Sequence, residues 1–184
     1  MTKKYNLFVL MFLSIEDENR ITSFFEGRFN IPTNFIVRGM HITLYHSQIP
    51  INLPIKDNTK ISIDADVKET RFMVMVPGGE NPKKNINPAS KSVGLRLTKR
   101  NIAIPSILEI RRKIYQNEPD LKNRKNTSDW RNAFGAKNFQ PHMTLLKPGN
   151  SMPNDLSEVG TLFRDNFQEL NFQKLLVKKY RNYN

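Results

Sequence analysis

Two stretches about a hundred residues apart, His41-Ile42-Thr43-Leu44 and His142-Met143-Thr144-Leu145, share one pattern: His, apolar, Thr, Leu. Each lies in a run that reads as a β-strand, Met40 to Ser47 and Phe139 to Lys147. Residues two apart on a strand point to the same face. Each stretch therefore presents an imidazole beside a hydroxyl, with Ile42 and Leu44, or Met143 and Leu145, turned into a core. Two such strands facing each other would set two histidines and two hydroxyls around one small anionic group. A lone His-x-Thr on a strand is ordinarily structural; it is the matched pair that favours chemistry.

The surrounding chain has the periodicity to build these strands into one framework. Tyr5 to Leu13 is apolar and aromatic apart from Asn6, as a strand covered on both faces requires. Ser14 with Asp17 three residues on is a capping-box start for a helix. Ile21, Phe24, Phe25 and Phe29 fall on one stripe of that helix, which ends near Asn30, before Ile31-Pro32. The first His-x-Thr strand follows, so the opening unit is strand–helix–strand. Beyond a Pro-punctuated connector from Ile49 to Asn58, alternation at Ile61, Ile63, Ala65 and Val67 predicts a half-buried strand. Phe72–Val76 and Val93–Leu97 predict two more. Pro77-Gly78-Gly79 between them is turn chemistry rather than a phosphate loop, because no Gly-Lys-Ser/Thr opens a helix behind it.

Pro105 starts a second helix with a stripe of Ile104, Ile107, Leu108, Ile114 and Tyr115. Residues 118–138, rich in Lys, Arg and Asn, lack periodicity and hold the only tryptophan, Trp130; loops of this length within a domain are commonly functional or mobile. The second His-x-Thr strand is followed by a helix capped near Asn154, with Leu156, Val159, Phe163 and Phe167 on one side, and by a last strand from Leu170 to Tyr180. The order echoes the opening unit and reads as two related lobes within a single domain, 1–184.

Composition narrows the chemistry. No cysteine is present, which removes thiolate nucleophiles, disulfides and Cys-based zinc sites, and suits a reducing, cytoplasmic setting. The formal charge is +12, and residues 51–150 carry nineteen of the 29 Lys and Arg against nine of the 17 Asp and Glu. Lys83 to Lys137 alone has fourteen basic side chains and four acidic ones. Such a field draws polyanions, nucleotides and nucleic acid first; a solubility surface is the competing account. Lys3-Lys4 before Leu7–Leu13 superficially resembles a signal peptide. The apolar run is too short, however, and Glu16-Asp17-Glu18 follows at once, so a buried strand is expected and no membrane partner.

A phosphodiester attacked by water or by a neighbouring ribose hydroxyl needs a base for the nucleophile and an acid for the departing oxygen. Two imidazoles, with an ordinary pKa of about 6.5, can divide those tasks near neutral pH. Threonine hydroxyls can donate hydrogen bonds to the non-bridging oxygens as charge builds on phosphorus. Neither motif carries a carboxylate at ligand spacing, so neither metal nor other cofactor is expected.

The pair Met40-His41-Ile42-Thr43-Leu44 and Phe139-Gln140-Pro141-His142-Met143-Thr144-Leu145-Leu146-Lys147 resembles the two-histidine (2H) phosphoesterase superfamily, in particular its LigT-like branch. That branch has paired His-x-Thr/Ser motifs, the second often preceded by Phe-x-Pro and followed by a basic residue. The resemblance covers nearly the whole chain in its order of strands and helices. It implies an α+β, bilobal fold, with two pseudo-symmetric lobes whose antiparallel sheets flank a central cleft and whose helices lie outside. It also implies metal-independent cleavage of 2′-5′-linked or 2′,3′-cyclic phosphodiesters, in RNA ends, oligonucleotides or cyclic dinucleotides, with degradation of an immune nucleotide signal among the uses. His41 and His142 become the acid–base pair, with their order open, and Thr43 and Thr144 the phosphate-binding hydroxyls. The Lys83–Lys137 segment is longer and more basic than the simplest bacterial members have, which leaves the substrate open and suits a longer or multiply charged one. A monomer in a bacterial cytoplasm, or in a host cytoplasm if the protein is viral, is expected.

Around this core, Tyr45 shares the face of His41 and Thr43 by alternation and is a candidate substrate contact, with packing at the cleft edge as the alternative. His46, five residues from His41, falls on the opposite face and is expected to be structural or exposed. Lys147 matches the basic position after the second motif, although alternation turns it away from His142. Trp130, beside Arg131 and Phe134, is a candidate stacking platform for a base, or else an anchor of its loop. A non-catalytic RNA-binding module retaining the fold is the alternative function; it would use the basic segment but gives no reason for two intact His-x-Thr pairs. Val93–Leu97 supplies no aromatic RNA-binding strand, and no Gly-x-Ser-x-Gly elbow marks a serine hydrolase.

Overall fold

The first strand, β1 (Lys4–Leu13), alternates between a face that is sealed and a face that is only partly so. Leu7, Val9, Met11 and Leu13 are buried, whereas Phe8 and Phe12 on the other side are half-buried. Expected to be covered on both faces, the strand is closed on one and supplies aromatic surface on the other. The structure, a computed structural model, describes residues 4–47, 55–75, 91–116, 141–149, 153 and 155–182, with backbone alone at 4–6, 46–47, 115–116 and 180–182.

The elements that follow are α1 (Ile15–Phe29), β2 (His41–Ser47), β3 (Thr59–Asp66), β4 (Thr70–Met75), β5 (Ser92–Leu97), α2 (Lys99–Ile102), α3 (Pro105–Gln116), β6 (His142–Leu146), α4 (Leu156–Asn166) and β7 (Glu169–Asn182). Among the described residues the strands form one seven-stranded sheet in the order β3-β7-β1-β2-β6-β5-β4. Every pairing is antiparallel, so the architecture is mixed α+β on an antiparallel sheet. Its halves, β3-β7-β1-β2 and β6-β5-β4, join where Ile42 pairs with Met143, in one sheet rather than two separate ones. The chain before β2 reinforces the join: Val37 N donates to Leu145 O at 2.9 Å and Lys147 N to Phe35 O at 2.7 Å.

Helix α1 starts as expected, with Ser14 Oγ accepting from Asp17 N at 3.0 Å. The Asp17 carboxylate does not close a capping box; it accepts from Asn171 N at 2.7 Å and pairs with Arg20 at 2.8 Å, tying the helix to β7. Asn30, in the left-handed region at φ 50°, ends it. Helix α4 is capped by Asp155, one residue beyond the position anticipated, through Ser157 N and Glu158 N. The two helices meet through aromatic edges: Phe24 and Phe163 stand T-shaped at 5.4 Å, and Phe163 reaches Phe72 of β4 at 5.2 Å. Each such buried ring is worth about 1.5–3 kcal/mol of burial free energy, so this cluster fixes the helices to one face of the sheet.

Helix α3 buries Ile107 and Ile114, with Ile110 packed against the core between them. Leu108, placed in the stripe from sequence, is 48% exposed: spacings of three and four from Ile107 reach Ile110, Arg111 and Ile114, and position 108 is a quarter turn away. The side chain of Tyr115 lies outside the described residues. Short helix α2, unanticipated, contributes buried Asn101, whose amide nitrogen donates to Asp66 O and Glu69 O and whose oxygen accepts from Asp66 N, closing the turn between β3 and β4. Among the described residues no helix is long and apolar enough to cross a membrane. The Pro77-Gly78-Gly79 turn, Phe139 and the 118–138 loop with Trp130 lie outside the described residues.

Candidate active site

The two His-x-Thr strands are neighbours at the centre of the sheet. Antiparallel pairing at Ile42 and Met143 sets, one step to either side, His41 opposite Thr144 and Thr43 opposite His142. Ile42, Leu44, Met143 and Leu145 are buried toward the helices, while His41, Thr43, His142 and Thr144 are all half-buried on the other face. The four polar side chains therefore occupy the corners of a parallelogram, imidazoles on one diagonal and hydroxyls on the other. Side chains directly opposite lie about 5 Å apart at Cβ, and diagonal ones about 7–8 Å apart. A tetrahedral anion fits between imidazoles at that spacing, and both hydroxyls flank it. Neither threonine hydroxyl bonds to another described residue, so both are open to a ligand.

The His41 ring is held in one tautomer. Its Nδ1–H donates to Gly39 O at 2.7 Å, which leaves Nε2 as the working nitrogen whether the ring is neutral or protonated. Gly39, at φ 67°, takes a conformation that favours glycine and aims this carbonyl at the ring. The turn is in turn clamped by Glu18 of α1, whose two carboxylate oxygens accept from Gly39 N at 3.1 Å and Met40 N at 2.9 Å. Phe12, directly opposite His41 on β1, places its ring 4.9 Å from the imidazole. None of Glu18, Gly39 and Phe12 stood out in the sequence. An acid in the first helical turn ordinarily serves the helix dipole, and only the pairing of β1 with β2 reveals the contact with Phe12.

Register also extends the site sideways. On β5, Arg96 lies opposite His142, and Arg71 on β4 lies opposite Arg96. On the other side, Lys174 of β7 lies opposite Phe12, and Lys60 of β3 opposite Lys174. All four cations thus belong to the His/Thr face.

Two expectations change. The pairing of β1 with β2 runs Val9 to Tyr45 and Leu10 to Thr43, so Leu44 is the extra residue of a β-bulge. Alternation fails across it, and Tyr45 turns inward: it is 1% exposed, part of the core, and does not share the face of His41 and Thr43. Past the bulge, the backbone of His46 pairs with Phe8, which has the same parity along β1 as Leu10 and Phe12, the partners of Thr43 and His41. Position 46 is thereby in register with the His/Thr face, not the opposite one; its side chain lies outside the described residues. Lys147 follows β6 and is exposed, with Nζ donating to Asn34 O at 2.9 Å, so its charge sits beside the 33–35 turn. Pro141 is buried, and its carbonyl accepts from Leu97 N at 3.0 Å, which anchors the start of β6 on β5.

A cavity of about 770 Å³ between α1 and the end of α4 lies on the helical side of the sheet, where Arg20 is already paired with Asp17. Among the described residues no three His, Asp or Glu side chains converge to hold a metal ion. No protein-family model matches the chain, and no curated protein matches it.

Proposed function

We propose that this chain is a metal-independent phosphodiesterase with the LigT-like fold of the two-histidine phosphoesterases, cleaving 2′-5′-linked or 2′,3′-cyclic phosphodiesters. One arrangement supports it: two imidazoles and two hydroxyls at the corners of one parallelogram, all four side chains half-buried. That set can do each part of the reaction. One histidine, neutral, takes the proton from the attacking water or ribose hydroxyl as its oxygen bonds to phosphorus. The other, protonated, passes its proton to the ribose oxygen as the P–O bond breaks. The two then hold the opposite charge states, and solvent or the reverse transfer resets them. Thr43 and Thr144 donate to the non-bridging oxygens, whose charge rises in the transition state.

The deciding experiment is turnover of a panel of 2′,3′-cyclic nucleotides, 2′-5′-linked oligoadenylates and cyclic dinucleotides, read by chromatography. At least one class is expected to be cleaved, at a rate that EDTA leaves unchanged. Loss of activity in EDTA that added metal restores would overturn the acid–base mechanism. Failure on the whole panel would leave a nucleic-acid-binding module as the better account.

Glu18 enters as a positioning residue, because it reaches His41 only through the Gly39-Met40 backbone. Glu18→Ala is expected to lower kcat by up to about 100-fold, the order of cost of misplacing a reacting group by an ångström. KM should change little, and the limb of the pH–rate profile set by His41 should move. Glu18→Gln is expected not to restore the rate, since an amide offers one acceptor oxygen where two N–H groups need one each. An unchanged pH profile in both variants would reduce Glu18 to a structural role.

A further inference from the structure

Cations directly opposite one another on neighbouring strands repel, and such pairs are ordinarily avoided. This sheet has two on its His/Thr face, Lys60 opposite Lys174 and Arg71 opposite Arg96. None of the four makes an ion pair with a described residue; the acids that pair, Asp17, Glu69 and Glu109, are taken by Arg20, Arg100, Arg112 and Lys113. The two pairs lie on opposite sides of the catalytic quartet, the lysines two and three strands out from His41 and the arginines one and two strands out from His142. The row through His41 runs outward to Phe12, Lys174 and Lys60; the row through His142 runs the other way, to Arg96 and Arg71. With strands about 4.8 Å apart, Lys174 and Arg96 are separated by four strand spacings, about 19 Å, with the histidines between them.

From this we propose that the site takes a linear oligonucleotide laid across the strands, with a phosphate on each side of the one that is cut. The Lys60/Lys174 pair holds one flanking phosphate and the Arg71/Arg96 pair the other. A second observation supports the lysine side. Phe12, Gly39, Asn58, Lys60, Asn171 and Lys174 line a cavity of about 650 Å³ next to His41, within the range of about 300–1,000 Å³ usual for small-ligand sites. Glu18 also borders it, but its oxygens are occupied by the Gly39 and Met40 amides. The Phe12 ring offers a stacking surface for the base attached to the flanking phosphate, and Lys178 Nζ lies 5.7 Å from that ring. A 2′,3′-cyclic mononucleotide fills only the centre of this site, and an oligonucleotide fills its flanks as well. The inference rests on the phosphodiesterase reading for the bond that is cut, and adds the size and charge of what carries it.

The test is a phosphate ladder: a 2′-5′-linked diadenosine monophosphate, the same molecule with one further phosphate at either end, and with both. For the wild-type protein at low salt, each added phosphate is expected to lower KM about tenfold, with the gain shrinking as salt rises. Lys60→Ala/Lys174→Ala should abolish the gain from one end only, and Arg71→Ala/Arg96→Ala the gain from the other. Both variants should melt at or above the wild-type temperature, because each relieves a like-charge pair. The same ladder is titrated by calorimetry into His41→Ala protein with and without the cation changes, so that binding is read without turnover. End-specific loss of binding with no turnover by the wild type would retain the oligonucleotide track and reject the phosphodiesterase. A ladder without gains, or cation variants that weaken all members equally, would overturn the proposal.

Discussion

Replacing His142 with alanine is expected to lower kcat about 10²–10⁴-fold, the usual worth of one positioned proton transfer. His41→Ala should fall in the same range. Each imidazole sits on its own strand, across the diagonal from the other, so neither can reach the other's position to take over its proton. Binding should persist, since both threonines and the flanking cations remain in place, and Kd for an uncleaved oligonucleotide is the control. The double variant should be little worse than the poorer single one, because an acid and a base that act in one step fail together. The bell-shaped pH dependence expected of the intact protein should lose one limb in each single variant.

Thr144→Val and Thr43→Val test the other diagonal. Valine keeps the β-branched shape that suits a strand and removes only the hydroxyl. Each change is expected to cost about 10²–10³ in kcat, as loss of one donor to a developing oxyanion does elsewhere, with a smaller rise in KM. Thr→Ser at either position should restore most of the rate. Thr43 and Thr144 lie beside buried Ile42 and Met143, so melting curves separate a lost hydrogen bond from a disturbed core. A valine variant with wild-type kcat would remove that hydroxyl from the phosphate site.

The centre of this site was legible in the sequence because the side-chain period of a strand is two. Buried Ile42, Leu44, Met143 and Leu145 fix which way His41, Thr43, His142 and Thr144 must face. The strand at Val93–Leu97 was legible for the same reason, and the apolar stripe of α1 from the helical period of 3.6. What escaped was everything set by a partner strand. The extra residue at Leu44 reverses the parity of Tyr45 and of position 46, and nothing local announces it; a bulge answers to the β1 register rather than to residue type. Arg96 reads as an ordinary polar residue of an alternating strand until β6 is laid beside it. Glu18 reads as a helix-start acid until its carboxylate is found on the Gly39 turn. Leu108 was misplaced by a quarter turn because Ile110 and Arg111, at spacings of three and four, continue the face of Ile107, and Leu108 does not.

The central claim is that the two halves of the chain give one histidine each to one phosphodiester. Single-turnover cleavage of a 2′-5′-linked oligoadenylate by the wild-type, His41→Ala, His142→Ala and double-variant proteins tests it most directly. The account predicts wild-type cleavage, both single variants slowed by orders of magnitude, and a double variant close to the slower of the two. Full wild-type turnover in either single variant would contradict it.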